Sequence, residues 1–203
     1  MSTRDRIRWD KIYQRRIRQD FPAPDPLMLQ YTPAILENIR VDERDAPVFD
    51  DESLIPRALD LAAGVGQNGL WLAEQGYAVD IMDISRMALQ RARTEMTIRN
   101  LRNVNLLQVD VDTHLLEIAY YDMICMFRYL DRDLFAGIRD AIKPGGRFIY
   151  ASFNRNYLET VPDFNPDFLL EPGELRDFFP DWQHVLIEDV KHESRFVAVK
   201  PDF

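Results

Sequence analysis

Hydrophobic residues in the middle of the chain come in short runs, and these runs alternate with segments of helical periodicity. The alternation begins at Arg57 and continues to Phe153. Such alternation is typical of βαβ units, which build a parallel sheet with helices on its faces. Strands are predicted at about 57–62, 77–82, 104–109, 120–127 and 147–153, and helices at about 67–75, 85–99 and 131–142, with a short turn of helix near 113–118.

The first 18 residues combine an apolar stripe with a basic character. Trp9, Ile12, Tyr13 and Ile17 follow the i, i+3, i+4, i+8 spacing of one helical face. The same segment holds seven basic residues and two acids. Because a mitochondrial targeting sequence is poor in acids, we interpret the segment as a helix of the folded protein rather than a targeting sequence or a nucleic-acid-binding arm.

The regions that flank the alternating segment are predicted from their turn residues and from shorter apolar runs. Proline cannot continue a helix but fits its first turn, so Pro172 predicts a helix start. The predicted elements are a proline-rich connection at 21–26, a helix at 27–39, a loop at 41–53, a helix from Pro172 through Phe179, and two final strands at about 183–188 and 195–199.

Composition narrows the class of protein. A chain of 203 residues fits one domain, and its net charge of −9 argues against a nucleic-acid substrate. The single cysteine, Cys125, excludes a disulfide framework and a multi-cysteine zinc site, and we expect no metal. No apolar stretch is long enough to span a bilayer, so the expected location is the cytoplasm, with no membrane partner.

Glycines are concentrated in one loop. Gly64, Gly66 and Gly69 form a G-x-G-x-x-G pattern that follows a predicted strand and opens a predicted helix. Glycines there let the backbone come close to a ligand, and the helix N-terminus presents free N–H groups. The pattern alone is a weak signal of a dinucleotide site, and a tight turn that binds nothing is the alternative.

Three acids accompany this loop. Asp60 lies inside the strand before it, while Asp83 and Asp110 end the next two strands. A carboxylate at a strand end can accept hydrogen bonds from both hydroxyls of a ribose, or from an adenine amino group. Each acid by itself is equally consistent with a helix N-cap. Three at successive strands favour a ligand that contains a nucleoside.

These residues together resemble the class I S-adenosylmethionine-dependent methyltransferases. The stretch 60–66 (DLAAGVG) is similar to the first motif of that superfamily, with Ala62 where its first glycine usually stands. The run 58–85 resembles the first βαβ unit, 121–125 the fourth strand, and 134–146 the fourth helix with its Pro-Gly-Gly turn. The resemblance implies a Rossmann-like, doubly wound α/β fold, with a mostly parallel seven-stranded sheet and an antiparallel C-terminal strand.

For the methionine half of S-adenosylmethionine, the resemblance implies the following roles. Gly64 and Gly66 line it with bare backbone, and Ala62 belongs to the same lining. Asp60 holds the amino group, directly or through water. The carbonyl near Phe127 meets the same ammonium group.

For the nucleoside half, the resemblance implies four further residues. Asp83 takes the ribose hydroxyls, and Ile84 packs on the adenine ring. Asp110 and the Val111 N–H recognise the adenine edge. A cofactor that carries positive charge beside several carboxylates is electrostatically reasonable.

A narrower resemblance concerns the methyl acceptor. Arg8-Trp9-Asp10 with Tyr13, and 165–175, are similar to a small bacterial branch related to tellurite-resistance and thiopurine methyltransferases. That branch implies a small acceptor such as a thiol or a chalcogen anion, although 172–175 (PGEL) is equally consistent with a plain helix start.

Three residues after the fourth strand, where an acceptor would stand, are candidates for substrate contact: Arg128, Tyr129 and Asp131. Trp9 and Tyr13 would cover the site from the N-terminal helix. A solvated helix start capped by Asp131 explains that segment equally well. No catalytic residue is predicted, because displacement at a sulfonium depends mainly on orientation.

Two other functions use the same glycine loop. One is an NAD(P)-dependent oxidoreductase, which the position of Asp60 and the lack of a Tyr-x-x-x-Lys pair disfavour. The other is a cofactor-binding protein without catalytic activity, which the three intact acids disfavour. We therefore predict one methyltransferase domain over 1–203, with an N-terminal helical lid (1–54), a cofactor-binding core (55–155) and a C-terminal substrate-side loop and strand pair (156–203).

Overall fold

The structure is a computed structural model, and it describes residues 3–35, 40–41, 47–48 and 55–202. Helices and 3-10 turns alternate with strands along the chain. The helices are α1 (Thr3–Arg15), α2 (Pro26–Tyr31), α3 (Gln67–Glu74), α4 (Arg86–Ile98), α5 (Leu134–Ala141) and α6 (Leu175–Phe178). The strands are β1 (Arg40–Val41), β2 (Pro47–Val48), β3 (Arg57–Leu61), β4 (Ala78–Asp83), β5 (Val104–Gln108), β6 (Tyr121–Phe127), β7 (Ile142–Phe153), β8 (Gln183–Val190) and β9 (Glu193–Val199).

Seven of these strands form one sheet in the order β5-β4-β3-β6-β7-β9-β8. The pairs β3/β4, β4/β5 and β6/β7 are parallel, whereas β9 runs antiparallel to both β7 and β8. The predicted α/β fold, a mostly parallel seven-stranded sheet with an antiparallel C-terminal strand, is confirmed. Within the described ranges, no helix is both long enough and apolar enough to cross a bilayer.

The chain divides into two compact units, an N-terminal unit over 2–109 and a C-terminal unit over 110–203. In the N-terminal unit, α3 packs closely on the strands because Gly69 has no side chain. A Cβ added at Gly69 would lie 2.6 Å from the Ile81 Cγ1 atom and 3.0 Å from the Asp60 Cβ atom. This close approach of helix and strand fixes where the glycine loop begins and ends.

The C-terminal unit has an aromatic core. Phe135 of α5 contacts the Tyr150 ring edge to face, with centroids 5.6 Å apart, and Phe148 contacts Phe196 in the same way at 6.2 Å. Offset and edge-to-face arrangements suit the quadrupoles of aromatic rings. The Tyr150 hydroxyl donates to the Tyr129 carbonyl at 2.9 Å, so this core supports the segment that follows β6.

One predicted helix is shorter than expected. The helix predicted over 27–39 ends at Tyr31, and Thr32 adopts an extended conformation with φ −70° and ψ 125°. Thr32 precedes Pro33, and the proline ring disfavours the helical region for the residue before it. Residues 36–39 of the prediction lie outside the described residues.

Other differences concern short segments. The turn of helix predicted near 113–118 is wrong: hydrogen bonds from Thr113 and His114 to the Asp110 carbonyl close only a turn, and Leu115 and Ile118 are exposed. The helix predicted from Pro172 is limited to α6. The loop predicted at 41–53 contains part of the small antiparallel pair β1/β2, while the rest of it lies outside the described residues.

The close packing at Gly69 gives a prediction for stability. We expect Gly69→Ala to lower the free energy of unfolding by about 1–3 kcal/mol, because the new methyl group overpacks against Ile81. Gly137 is the matched control, since it is also helical but has nothing within 4 Å of an added Cβ. Gly137→Ala should be neutral or stabilise by up to about 1 kcal/mol. Urea unfolding measures both, and equal effects would contradict the packing argument.

Candidate functional site

The loop between β3 and α3 has a left-handed backbone at three positions. The φ angles are +53° at Ala62, +59° at Gly64 and +74° at Gly66. Glycine adopts such angles without strain, whereas alanine pays about 1–2 kcal/mol in steric overlap. This conformation gives a physical reason for glycine at the position of Ala62 in related sequences.

Asp83 joins this loop to the next helix. Its Oδ2 atom accepts from the Gly64 N–H at 2.7 Å, and its Oδ1 atom accepts from the Ser85 N–H, also at 2.7 Å. Ser85 in turn caps α4, since its Oγ atom accepts from the Ala88 N–H at 3.2 Å. Each carboxylate oxygen can accept more than one hydrogen bond, so Asp83 retains capacity for a ligand.

Burial shifts the titration of Asp83. Asp83 is only 7% exposed, and desolvation of its carboxyl group raises the pKa from 3.8 to about 6. The two backbone N–H groups oppose this shift, and the negative charge of Asp10 adds to it. Asp83 therefore changes charge close to neutral pH.

Asp60 is even more deeply buried, at 1% exposure. Its Oδ2 atom accepts from the Gly69 N–H at 2.8 Å, in the first turn of α3. A carboxylate at a helix N-terminus satisfies a free N–H group and interacts favourably with the helix dipole. The hydrogen bond with Gly69 shows that Asp60 anchors the helix that follows the glycine loop.

Helix α1 is joined to the same region by Asp10. The Asp10 Oδ1 atom accepts from the Ser85 hydroxyl at 2.7 Å and from the Met87 N–H at 3.1 Å. Arg91 of α4 adds a second connection, because its guanidinium donates to the Arg16 carbonyl at 3.1 Å and to the Asp20 carbonyl at 2.7 Å. The N-terminal segment is thus held at the start and along the length of α4.

Tyr13 of α1 lies directly against the glycine loop. A Cβ added at Gly64 would overlap the Tyr13 hydroxyl oxygen and come within 3.3 Å of its Cζ atom. The Trp9 ring stacks on Tyr13, with centroids 6.0 Å apart. Burial, and next the charge of Asp83, raises the pKa of the Tyr13 hydroxyl above its ordinary value, so it stays protonated. The N-terminal unit thus brings together Tyr13, Gly64 and Asp83.

The remaining nucleoside-side candidates differ in their surroundings. Ile84, in the N-terminal unit, is 8% exposed, and its carbonyl accepts from the Gln108 side chain at 3.2 Å. Asp110 and Val111 are the first two residues of the C-terminal unit. The Asp110 carbonyl accepts the hydrogen bonds of the turn at 110–114, and Val111 is buried.

The acceptor-side candidates belong to the C-terminal unit. Phe127 ends β6, and the next residue, Arg128, is exposed, has φ +56° and donates its N–H to the Ala151 carbonyl at 2.8 Å. The Tyr129 hydroxyl donates to the Asp112 carboxylate. Burial, followed by this hydrogen bond, raises the pKa of Tyr129. Tyr129 is therefore a protonated, fixed group.

Two contributors to the site were not among the predicted site residues. Asp10 belongs to the Arg8-Trp9-Asp10 motif, but the sequence did not predict that it connects α1 to α4. Its partner Ser85 lies 75 positions away along the chain. A serine directly before a helix is a recognisable N-cap signal, but nothing in the sequence indicates that its hydroxyl also meets α1.

Solved structures of the same fold are similar to this chain. One of them is a protein from work on the conversion of a disulfide bond into a thioacetal group during echinomycin biosynthesis. It shares 18% identity with this chain, over 98% of this chain and 93% of its own length, with a TM-score of 0.67. TehB from Haemophilus influenzae shares 17% over 71% of this chain and 58% of its own, with a TM-score of 0.63. An S-adenosylmethionine-dependent methyltransferase from Mesorhizobium loti shares 16% over 72% and 91%, with a TM-score of 0.61.

These likenesses show that the fold is that of the class I S-adenosylmethionine-dependent methyltransferases. Residues 58–146 match the model of the methyltransferase domain family. The chain is a methyltransferase, and its cofactor is S-adenosylmethionine. No curated protein sequence matches the chain.

The raised pKa of Asp83 gives a prediction with a definite sign. The folded state retains a proton on Asp83 that the unfolded state releases between about pH 4 and pH 6. This contribution therefore favours folding below about pH 4 and is lost as the pH rises through 6. In the unchanged protein this contribution makes the unfolding free energy roughly 2–3 kcal/mol lower at pH 7 than at pH 4. We expect Asp83→Asn to abolish this part of the pH dependence, because asparagine does not titrate.

Urea unfolding at the two pH values measures this difference. Asp80→Asn is the control, because Asp80 is also on β4 and its carboxylate meets the exposed Asn105 side chain. The control measures the general effect of replacing a carboxylate on β4. An Asp83→Asn variant with the same pH dependence as the unchanged protein would show that Asp83 is already ionised at pH 4.

Proposed function

We propose that this methyltransferase acts on a small-molecule acceptor, of which a thiol or a chalcogen anion is the expected class, and that the N-terminal unit holds S-adenosylmethionine. The observation that carries the proposal is the arrangement of Gly64, Asp83 and Tyr13. A carboxylate, a buried glycine loop and a protonated hydroxyl lie together at the end of a parallel strand. Ligands of open α/β sheets bind at such ends.

The residues present fit the cofactor. Gly64 and Gly66 carry no side chain and adopt left-handed backbone conformations, and Ala62 adds only a methyl group. In this structure the Tyr13 hydroxyl covers Gly64. In the proposed complex the loop from 62 to 66 lines the methionine half. Asp83 accepts the ribose hydroxyls with the lone pairs that Gly64 and Ser85 do not use, and Ile84 packs on the adenine ring.

Asp60 has a more restricted role in this proposal. Its Oδ2 atom is committed to the Gly69 N–H, and the residue is almost fully buried. We propose that it meets the cofactor's ammonium group through a water molecule and by charge. Asp110, the Val111 N–H and the Phe127 carbonyl keep, in this proposal, the roles that the resemblance implies for the adenine edge and the ammonium group.

Helix α1 is the proposed lid of the cofactor site. Asp10 fastens it to Ser85 and Met87, and this places Tyr13 against Gly64. Excluding water from the sulfonium strengthens its interaction with nearby carboxylates and protects it from hydrolysis. Trp9 stabilises the closed position because it stacks on Tyr13.

The main contribution of the protein to this reaction is to orient the methyl donor and the acceptor. S-adenosylmethionine supplies a methyl group on a positively charged sulfur, and the bond from that carbon to the acceptor forms as the carbon–sulfur bond breaks. A thiolate or chalcogen anion needs no proton removed in this step, so the chain requires no dedicated base. Arg128 and the neutral Tyr129 are the proposed acceptor contacts, because both follow the carboxyl end of β6.

Cofactor binding tests the role of Asp83. We expect the chain to bind S-adenosylhomocysteine, the demethylated product, more tightly than NADH in calorimetry. Asp83→Ala should weaken this binding by about 1.5–3 kcal/mol, the usual size for a hydrogen bond to a charged group. Asp80→Ala is the control and should bind normally. NADH binding without S-adenosylhomocysteine binding would favour the oxidoreductase alternative instead.

A turnover assay tests the acceptor class. The panel contains small thiols, selenite, tellurite, amines and carboxylates, with S-adenosylmethionine as methyl donor. Methylation of thiols or chalcogen anions is the expected result, and exclusive methylation of amines or carboxylates would refute this part of the proposal. Cofactor binding with no turnover on any member would favour a binding protein without catalytic activity.

The lid is tested separately. We expect deletion of residues 1–18 to raise the dissociation constant for S-adenosylhomocysteine about tenfold, roughly 1.4 kcal/mol. Asp10→Ala should have a smaller effect in the same direction, while Lys11→Ala, at an exposed position of α1, should have none. In a variant with Trp9 as its only tryptophan, ligand should change the fluorescence. A folded truncation with unchanged affinity would show that α1 is no lid.

A further inference from the structure

Two carboxylates from different elements are hydrogen-bonded to one residue, Ser85. The Ser85 N–H donates to the Oδ1 atom of Asp83 on β4 at 2.7 Å, and the Ser85 hydroxyl donates to the Oδ1 atom of Asp10 on α1, also at 2.7 Å. The Ser85 Oγ atom itself accepts from the Ala88 N–H at 3.2 Å, so its proton is directed to Asp10. Ser85 is fully buried, and it therefore holds the charge of Asp10 close to that of Asp83.

The hydrogen bonds that the described residues donate to these two carboxylates all come from neutral groups. Besides Ser85, Asp10 accepts from the Met87 N–H at 3.1 Å, and Asp83 accepts from the Gly64 N–H at 2.7 Å. Such hydrogen bonds stabilise a carboxylate but leave its charge in place. The pair formed by Asp10 and Asp83 is therefore negative when both groups are ionised.

Charged side chains of the neighbouring elements act elsewhere. Arg16, which follows α1, acts on the Tyr13 hydroxyl, and the Arg91 guanidinium of α4 is bonded to the Arg16 and Asp20 carbonyls. Arg86 of α4 is exposed, and β5, which pairs with β4, contains no charged residue. The charged and titratable groups around the pair are thus Tyr13, Arg16, Asp60 on β3, Arg86 and Arg91.

Among these groups, Asp10 is the charge that acts on Asp83. Its negative charge raises the pKa of the Asp83 carboxyl, in the same direction as burial. Repulsion of this kind is relieved when a cation lies near the pair. The pair is partly shielded from solvent, because Asp83 is buried and Asp10 is half-buried, so salt screens it less than a surface pair.

We propose that Asp10 is a specificity-determining residue of the cofactor site, and that its charge, held beside Asp83, makes the site prefer the positively charged methyl donor to its neutral product. The donor and the product differ by one methyl group and one unit of charge, since S-adenosylmethionine is a sulfonium and S-adenosylhomocysteine is a thioether. A carboxylate next to the proposed ribose-binding carboxylate therefore attracts the donor more strongly. This inference rests on the proposed function, which gives the cofactor to the N-terminal unit.

The preference has a use at the end of the reaction. Methyl transfer removes the positive charge from sulfur, because the electron pair of the breaking carbon–sulfur bond stays on the sulfur. The carboxylate pair then loses its favourable interaction, and the product is held less firmly than the donor was. Asp10 thus acts on the cofactor through its charge, in addition to fastening α1 through hydrogen bonds.

Two substitutions separate the charge of Asp10 from its hydrogen bonds. Asp10→Asn keeps an Oδ1 atom that accepts from both Ser85 and Met87, and it removes only the charge. Asp10→Ala removes the charge and both hydrogen bonds. Asp5→Asn is the matched control, because Asp5 is also on α1 but lies about 140° away from Asp10 around the helix.

Calorimetry with S-adenosylmethionine and with S-adenosylhomocysteine, in the absence of a methyl acceptor, gives both affinities without turnover. We expect Asp10→Asn to lower the affinity for the donor relative to the product about three- to tenfold. Asp10→Ala should lower this ratio by the same factor and should also weaken binding of the product, because α1 is no longer fastened. Asp5→Asn should leave the ratio nearly unchanged.

A measurement on the free protein tests the interaction between the two carboxylates directly. We expect Asp10→Asn to move the titration of Asp83 to lower pH, because the charge of Asp10 raises the pKa of that group. Carbon-13 NMR of labelled aspartate carboxyl groups follows this titration, and the signal that is missing from Asp83→Asn identifies Asp83. Asp5→Asn should leave the titration in place.

The outcomes separate this inference from the proposed function. An unchanged affinity ratio in Asp10→Asn would overturn the inference, and so would an unchanged titration of Asp83. Equal weakening of both ligands would also overturn it, since that is the effect of the hydrogen bonds alone. In these cases normal binding of S-adenosylhomocysteine to the unchanged protein leaves the proposed function intact, whereas failure of the unchanged protein to bind either ligand refutes both.

Discussion

The two hydrogen bonds that the Asp83 carboxylate accepts from the backbone are the interaction on which the rest of the site depends. Its two oxygens fix the N–H groups of Gly64 and Ser85, and these belong to the loop before α3 and to the cap of α4. A buried carboxylate that holds two backbone segments positions both more firmly than either turn alone. The raised pKa of Asp83 is the cost of this burial. An enzyme class that binds a cationic cofactor recovers part of that cost when the ligand arrives.

Much of this arrangement was predictable because it is local in sequence. The spacing of Gly64 and Gly66 after a strand, and of Asp83 at the end of the next strand, identified the loop and its acid. Strand periodicity predicted the central strands and the terminal strand pair, whereas the antiparallel direction of the C-terminal strand was implied by the resemblance to the methyltransferases. Those features depend on the propensities and turn chemistry of neighbouring residues, which a single sequence contains.

The rest depended on contacts between distant residues. Asp10 meets Ser85 across 75 positions, and no periodicity connects them. Leu115 and Ile118 fitted a helical pattern, but both are largely exposed in the part of the chain that the structure describes, so that prediction was wrong. In each case tertiary packing rather than local preference decided the outcome.

The attachment of α1 also has a consequence for the order in which the chain folds. The partners of Asp10 lie in residues 85–87, so α1 leaves the ribosome long before the surface on which it packs exists. A helix of 13 residues is marginally stable in water without tertiary contacts. Helix α1 is synthesised before its partners but is therefore expected to be among the last parts of the N-terminal unit to settle, and the glycine loop stays open to solvent until it does.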